Sequence, residues 1–319
     1  RDWTIECFCL ESPKLTRRGG WYYLTSAQGG TSGPATSHMV VSARSKSPLG
    51  PWENSLHNPI IRTWSRDEPW WSKGHGTLVE GPRGDGYCVL HGYMNGYRTL
   101  GRCTLIEPIE WTDDGWFRAV ERWPAIDQDF ASEVAMPLSD DFDGPPLGIQ
   151  WQFHRHFDDA RYELVDGSLK LNGFGDTPGS SRPLSMMAMH RAYEIETDVE
   201  LSGEGTAGLM LFGSPDVYIG LGVSPDGKLR RVQEGFRRYG RTDEPEIGRS
   251  RLTLRIVNDK QDVRFYYRVD DGGWTVLQPG MDVSSMTTVG WHALRPALFA
   301  TGAAEARFLF FRYTPLSGP

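Results

Sequence analysis

The chain has 319 residues, of which 39% are hydrophobic and 24% are charged, and its formal net charge is −7 at pH 7. This length allows two domains or one large all-β domain. The negative charge disfavours a nucleic-acid-binding protein, which needs a basic patch, and no apolar run approaches the roughly 20 residues that a membrane helix requires. We expect a soluble protein. The N-terminal residues do not resemble a signal peptide, and they do not decide between a cytoplasmic and a secreted protein.

Short strand-like runs separated by turn residues fill the first third of the chain. None of them shows helical periodicity, and the repeating order is strand, tight turn, strand and longer loop. This pattern is typical of antiparallel sheets that stack as the blades of a β-propeller. In chain order the runs are WTIECFCL, GWYYLTSA, HMVVSARSK, GTLVEG, GYCVLHGY and RCTLIEPIEW.

A segment without periodicity, WPAIDQDFASEVAMPLSDDFDGPPLG, follows and indicates a linker. Strand-like runs then return and continue to the end of the chain, with the hairpin turns SPDGK and VDDGGW between some of them. The sequence therefore predicts an all-β protein in three parts. Residues 1–125 form propeller blades, residues 126–139 a linker, and residues 140–319 a two-sheet β-sandwich.

The predicted propeller part has too few strands to close. About six to eight strands leave an unpaired edge and an exposed apolar face, because a propeller must close on itself. We therefore expect residues 1–125 to be the C-terminal blades of a propeller. The missing N-terminal blades would then come from a second polypeptide.

Several motifs occur together in one order, and their combination resembles glycoside hydrolase family 43. They are LESPKL, GGWYYLTSAQGGT, HMVVSARSKSPLGPWENS, WWSKGHGTLVEGP and NGYRTLGRCTLIEPIEWTDDGWF. The final stretch, PALFATGAAEARFLFFRYTP, is similar to the concanavalin-like C-terminal sandwich of the branch that contains β-xylosidases and α-L-arabinofuranosidases. The resemblance implies a five-bladed propeller followed by a sandwich. It also implies an exo-acting, inverting hydrolase that releases xylose or arabinose from plant-type glycans such as xylan.

The resemblance implies that Glu11 is the catalytic acid, because Glu-Ser-Pro stands where the family has a motif like Glu-Gly-Pro. Inverting hydrolysis also needs a carboxylate base about 6.5–9.5 Å away from the acid. The family's two aspartates would precede Glu11, and Asp2 is too close to Glu11 to belong to an earlier blade. We therefore expect this chain to supply the acid and the missing segment to supply the base. Burial and a neighbouring carboxylate are expected to keep Glu11 protonated.

Three further residues match family positions near the sugar. His75, between two glycines in GHG, is expected at the base of the site, near a central calcium or sodium ion that it meets through water. Arg102 is expected to bond a sugar hydroxyl, and Thr31 either lines the pocket or is a turn residue. His38 is left open between a pocket residue and a strand histidine with a satisfied hydrogen bond.

Aromatic side chains are candidate sugar platforms. We predict that Trp71 contacts substrate and that Trp291, with His292 as the alternative, reaches over the pocket from a sandwich loop. Such a lid would restrict cleavage to chain ends. Trp64, Trp70 and Tyr97 are weaker candidates, since aromatic residues also pack in cores. No organic cofactor is expected.

Two other functions stay open on the sequence alone. A chain without its own base could be a non-catalytic glycan-binding protein, and it could equally be an inactive fragment. Hydrolysis requires the missing blades, because they would carry the base. Our leading prediction is therefore a glycosidase that is active only together with those blades.

Overall fold

The computed structural model describes residues 9–31, 34–96, 98–120, 136–235, 244–248, 251–287 and 293–316. The chain divides into two compact units, residues 1–133 and 134–319. The described residues form β-strands and three short 3₁₀ segments, at Arg98–Leu100, Asp159–Arg161 and Ser284–Thr287. None of the described residues belongs to a helix long and apolar enough to cross a membrane. Residues 126–135 of the predicted linker lie outside the described residues, so the predicted boundaries at 125 and 140 stay a prediction.

The first unit contains two antiparallel sheets in its described part. One sheet has the order β1-β2-β3-β4, with β5 paired to β3, and the other has the order β6-β7-β8-β9. Each sheet has the form of a propeller blade. The strands are β1 Leu10–Arg18, β2 Trp21–Gln28, β3 Met39–Ser45, β4 Glu53–Asn54, β5 Ile61–Arg62, β6 Trp70–Glu80, β7 Gly86–Met94, β8 Cys103–Trp111 and β9 Phe117–Ala119.

A single apolar cluster joins the two blades. It contains side chains of both sheets because alternate residues of β2, β3, β7 and β8 point inward. Tyr23 of the first sheet lies edge-on to Trp111 of the second, with ring centroids 4.9 Å apart. The packed blades hold the β1 and β6 strands side by side, which is where the candidate site lies.

The second unit is a sandwich of a six-stranded and a seven-stranded sheet. Their orders are β10-β13-β21-β15-β16-β17 and β11-β12-β22-β14-β18-β19-β20. The strands are β10 Gln152–Phe153, β11 Tyr162–Leu164, β12 Leu169–Asn172, β13 Leu184–Ser185, β14 Ala192–Glu204, β15 Ala207–Ser214, β16 Val217–Val223, β17 Leu229–Glu234, β18 Arg251–Asp259, β19 Asp262–Arg268, β20 Thr275–Asp282, β21 Arg295–Ala300 and β22 Ala303–Pro315.

The sandwich core is a continuous cluster of buried aliphatic and aromatic side chains from both sheets. The predicted turns SPDGK and VDDGGW join β16 to β17 and β19 to β20, and both strand pairs are antiparallel. The predicted all-β fold class is confirmed.

The acidic SDDFDG segment is tied into the sandwich by its own hydrogen bonds. The Asp140 carboxylate accepts hydrogen bonds from the Phe142 backbone, from Gln150 and from the Trp151 indole, the last at 2.8 Å. Asp141 pairs with Arg312. These contacts give the two carboxylates a structural role in closing the sandwich.

The predicted strand WTIECFCL lies mostly outside the described residues, which begin at Cys9, so it stays a prediction. The described strand β1 begins at Leu10 and continues through ESPKLTRR, so Glu11 lies near its start. The proline and the hydroxyl residue that follow Glu11 are accommodated by a bulge, where strand pairing is locally broken.

Candidate active site

Glu11 is positioned by an irregularity in β1. The register with β2 shifts between Glu11 and Lys14, and Ser12 adopts a left-handed φ of 54°. Lys14 then fastens this part of β1 to the neighbouring blade, because its ammonium donates to Gly76 O at 3.2 Å and to Ser12 Oγ at 2.8 Å. The bulge turns Glu11 away from the regular side-chain alternation of the strand.

His75 lies on β6, between two glycines that leave no room for a side chain. A Cβ on Gly74 would lie 2.1 Å from Cδ2 of His38, and one on Gly76 would lie 2.4 Å from Sγ of Cys88. His75 itself has a left-handed φ of 60°. This conformation is costly for a residue with a Cβ, and such strain is concentrated at functional sites. The expectation that the glycines permit close packing around His75 is confirmed.

Glu11 and His75 meet across the two blades. Oε1 of Glu11 lies 3.5 Å from Nδ1 of His75, and the side chains are 54% and 38% exposed. The burial that was expected to keep Glu11 protonated is therefore not found among the described residues. The carboxyl group is open to solvent on one side and bordered by an imidazole on the other, so a ligand could reach it.

Two more histidines lie behind this pair. The ring of His38, which is fully buried, stacks on that of His91 with centroids 5.1 Å apart and 8° between the planes. The His75 ring lies 5.5 Å from that of His91. Nδ1 of His38 lies 2.6 Å from Gly29 O, so His38 makes a backbone hydrogen bond. Its ring also borders the site, so the two alternatives left open for His38 both describe it.

Burial lowers the pKa of both inner histidines. The pKa of His91 falls to about 3, mainly by desolvation and then through the charges of His38 and Arg102. The pKa of His38 is also lowered, chiefly by burial, although its bond to Gly29 O and the charge of Glu11 oppose the shift. Both rings are therefore neutral at pH 7.

The sequence analysis missed His91. It stands opposite Gly74 in the pairing of β7 with β6, next to His75. One signal was available: an ionisable residue within the apolar run GYCVLHGY, in the strand that follows the GHG motif. That signal identifies a polar position in a core strand, but it does not show which neighbour the ring faces.

Arg102 and Thr31 lie on loops beside the same cluster. The Arg102 guanidinium is near enough to lower the pKa of both His38 and His91 by its charge. Thr31 is buried in the loop after β2. That loop is tied to the segment before β3 by the bond from His38 to Gly29 and by Ser37 Oγ, which donates to Gly30 O at 2.7 Å.

The role of the aromatic candidates as sugar platforms stays a prediction. Trp71 is partly exposed at the start of β6 and donates its indole N–H to Arg66 O at 2.9 Å. Trp64 is 58% exposed and lies under the guanidinium of Arg62. Tyr97, Trp291 and His292 lie outside the described residues, as does Asp2, so the predicted lid stays a prediction.

Four other glutamates among the described residues of this unit are engaged in ion pairs. Each has a basic partner: Lys73 lies 3.5 Å from Glu68 and 2.9 Å from Glu107, Arg18 lies 3.4 Å from Glu80, and Arg118 lies 2.5 Å from Glu110. These pairs make the four carboxylates poor candidates for a catalytic base.

The metal-binding potential of the site depends on its donor atoms. One ligand atom from each of Glu11, His38 and His75 lies within 4.8 Å of the others. Calcium, like other hard cations, prefers a shell of oxygen atoms, whereas two imidazoles and one carboxylate suit a transition metal. These side chains therefore do not fit a calcium or sodium ion that they would bind directly. An ion met by His75 through water stays a prediction.

Comparisons with known proteins agree with this architecture. A model of glycosyl hydrolases family 43 matches residues 1–117, and a model of the beta xylosidase C-terminal concanavalin A-like domain matches residues 139–314. Among solved structures, the chain is similar to the GH43 protein BlXynB from Bacillus licheniformis, with 28% identity and a TM-score of 0.84. That match covers 96% of this chain and 65% of the other.

Two curated relatives show the extent of the similarity. The non-reducing end alpha-L-arabinofuranosidase BoGH43B of Bacteroides ovatus is 37% identical over 51% of this chain and 32% of its own length. Xylosidase/arabinosidase 43B of Humicola insolens is 28% identical over 97% of this chain and 64% of its own length. The chain thus spans between about a third and about two thirds of these relatives.

The expectation of a second polypeptide is not supported. The Humicola insolens relative aligns with 97% of this chain within one protein. In that relative, the region similar to this chain and the rest of the sequence belong to one polypeptide.

Proposed function

Because the chain belongs to glycosyl hydrolases family 43, we propose that it carries the general acid and part of the sugar pocket of an exo-acting, inverting glycosidase. The substrates are xylosides or arabinofuranosides at the non-reducing ends of plant-type glycans. The observation that carries the proposal is the placement of Glu11 beside His75 at the junction of the two blades.

Glu11 acts as the acid in this scheme. Its carboxyl group donates a proton to the glycosidic oxygen as the bond to the sugar breaks. The exposed side of the carboxyl leaves room for the leaving group, and His75, 3.5 Å away, limits the directions in which the carboxyl can point. The bulge and the left-handed residues around both side chains fix their backbones for this purpose.

The base is a second carboxylate that activates water on the opposite face of the sugar, about 6.5–9.5 Å from the acid. The ion pairs of Glu68, Glu80, Glu107 and Glu110 remove these residues from consideration. We place the base outside the described residues of this chain.

Arg102 and Thr31 form the polar side of the sugar pocket. The guanidinium of Arg102 lies close to the histidine cluster, where it can donate two hydrogen bonds to adjacent sugar hydroxyls. Names of relatives include both a xylosidase/arabinosidase and an alpha-L-arabinofuranosidase, which supports a pentose as the released sugar.

The test is a pair of assays on the longest polypeptide that carries this sequence, with 4-nitrophenyl β-D-xylopyranoside and 4-nitrophenyl α-L-arabinofuranoside. Hydrolysis of at least one substrate, with inversion at the anomeric carbon observed by proton NMR, supports the proposal. Binding of the free sugars without hydrolysis of either glycoside would favour the glycan-binding function instead.

A further inference from the structure

Lys14 connects the two irregular strands that carry the candidate site. Its ammonium donates to Gly76 O on β6 at 3.2 Å and to Ser12 Oγ on its own strand at 2.8 Å. Ser12 directly follows Glu11, and Gly76 directly follows His75. One side chain therefore joins the segments next to both members of the pair whose side-chain atoms lie 3.5 Å apart.

Each of the two strands is irregular at the place where Lys14 contacts it. The pairing of β1 with β2 shifts register between Glu11 and Lys14, and the pairing of β6 with β7 shifts between Gly74 and Thr77. Regular ladder hydrogen bonds do not fix a backbone inside a bulge, so its position depends on other contacts. Lys14 is itself regularly paired, opposite Thr25. It therefore holds the irregular segments from a fixed position on β1.

Ser12 has a backbone conformation that is unfavourable for a residue with a side chain. Its φ of 54° lies in the left-handed region, which glycine adopts freely and other residues adopt at a cost in free energy. The hydrogen bond from the Lys14 ammonium to Ser12 Oγ is charge-assisted, and it offsets part of this cost. The hydroxyl can stabilise the bulge in this way only while the ammonium is present, so Ser12 and Lys14 act as a pair.

A second side chain of β1 also reaches β6, at the other ends of the two strands. Nη1 of Arg18 lies 3.4 Å from Oε2 of Glu80, and the side chains are 46% and 66% exposed. Both residues are the last of their strands. Lys14, by contrast, is partly buried and lies beside the bulge. The pair of Arg18 and Glu80 therefore provides a matched comparison, because it joins the same strands without holding Glu11.

We propose that Lys14 is a positioning residue, which places the Glu11 carboxyl for proton donation by fastening the β1 bulge to Gly76. The catalytic part of this inference rests on the proposed function, in which Glu11 is the acid. Lys14 acts through the backbone of Ser12 and Glu11 and does not contact the reacting atoms. Because a displacement of about 1 Å at a reacting group can lower turnover about 10²-fold, loss of the ammonium should reduce catalysis although every reacting group remains.

The test compares Lys14→Met with the unmodified protein, in the longest polypeptide that carries this sequence. We expect kcat on a xylo- or arabino-oligosaccharide to fall about 10–10²-fold with little change in KM, because the carboxyl that protonates the leaving group is displaced. The kcat on the 2,4-dinitrophenyl glycoside, whose leaving group needs little protonation, should fall much less. An unfolded fraction lowers turnover of both substrates equally, so the ratio of the two losses reports the position of Glu11 and not stability.

Arg18→Met is the matched control, since it removes a contact between the same strands and should leave the ratio of the two turnover rates unchanged. Ser12→Ala should lose less turnover than Lys14→Met, because the bond from Lys14 to Gly76 O remains. The double variant should lose no more than Lys14→Met alone. Equal losses on both substrates in Lys14→Met would overturn the positioning role, and additive losses in the double variant would overturn the coupling of Ser12 to Lys14.

Crystal structures of Lys14→Met and of the unmodified protein separate this inference from the proposed function, because they require no activity. We expect Oε1 of Glu11 to lie farther from Nδ1 of His75 in the variant than the 3.5 Å of the unmodified chain. A displaced Glu11 in a protein that hydrolyses neither glycoside leaves the role of Lys14 in placing Glu11 standing and removes the glycosidase proposal. The same Glu11 position in both structures overturns the inference, whatever the activity.

Discussion

Oε1 of Glu11 and Nδ1 of His75 lie 3.5 Å apart although the two residues belong to different blade sheets. The contact depends on packing between the blades, on a bulge in β1 and on two glycines in β6. A change at any of these points should therefore alter the site even when the substituted residue does not touch the substrate.

Gly74→Ala should destabilise the protein and disturb the histidine cluster. The new Cβ would lie 2.1 Å from Cδ2 of His38, whose ring cannot move away without losing its bond to Gly29 O. Overpacking of this kind costs about 1–3 kcal/mol in the free energy of unfolding. Urea denaturation measures it, with Gly144→Ala as the control because nothing lies within 4 Å of that position. Equal stability of the two variants would contradict the described packing.

Acidification should weaken the fold partly through His91. The pKa of His91 is lowered to about 3 in the folded state from its ordinary value of 6.5, mainly because burial disfavours the charged ring. Between these values the unfolded chain binds more protons, so this residue's contribution to stability is complete above about pH 6.5 and is lost as the pH falls toward 3. His91→Gln should therefore lose less unfolding free energy than the unmodified chain between pH 7 and pH 4.5.

The measurement for His91 is urea denaturation at both pH values in the presence of chelator. His156→Gln, which changes an exposed histidine, should follow the unmodified chain. If His91→Gln and the unmodified chain lose the same free energy on acidification, then the partly buried environment that the structure gives His91 is wrong.

Cys88 should resist thiol reagents in the folded protein. Its pKa is raised to about 12, mainly because burial disfavours the thiolate, and the thiolate is the reactive form. Cys9, which is exposed, provides the comparison within the same chain. Alkylation with iodoacetamide followed by peptide mass spectrometry should label Cys9 first and Cys88 only when urea is added. Equal labelling rates without urea would show that the core between the blades is open.

Much of the fold could be predicted because each strand has a recognisable pattern in its own short stretch of sequence. The alternating residues of GYCVLHGY and the continuous apolar run of TAGLMLF, each bounded by turn residues, are sufficient to predict β7 and β15, which the structure contains. The bulge in β1 was not predicted, because it depends on how Glu11 and Lys14 pair with β2, and pairing is not visible in one strand's sequence.

Only those residues of the candidate site that stand in local sequence motifs could be predicted. Glu11 and His75 stand in recognisable motifs, and the structure brings them together. His91 was missed and His38 left open because their significance arises from stacking between residues on different strands. Trp71 stays a predicted sugar platform, and its indole N–H donates to Arg66 O. Spatial relationships of this kind depend on tertiary packing, which the motifs do not encode.

The most direct test of the account is the effect of Glu11→Gln on substrates that differ in their leaving group. Turnover of a xylo- or arabino-oligosaccharide, whose leaving group needs protonation, should fall by about 10²–10⁴-fold, whereas turnover of the 2,4-dinitrophenyl glycoside should fall much less. Glu80→Gln, in an exposed ion pair with Arg18, is the control and should behave as the unmodified protein. An equal loss on both substrates, or no loss on either, would contradict the assignment of Glu11 as the general acid.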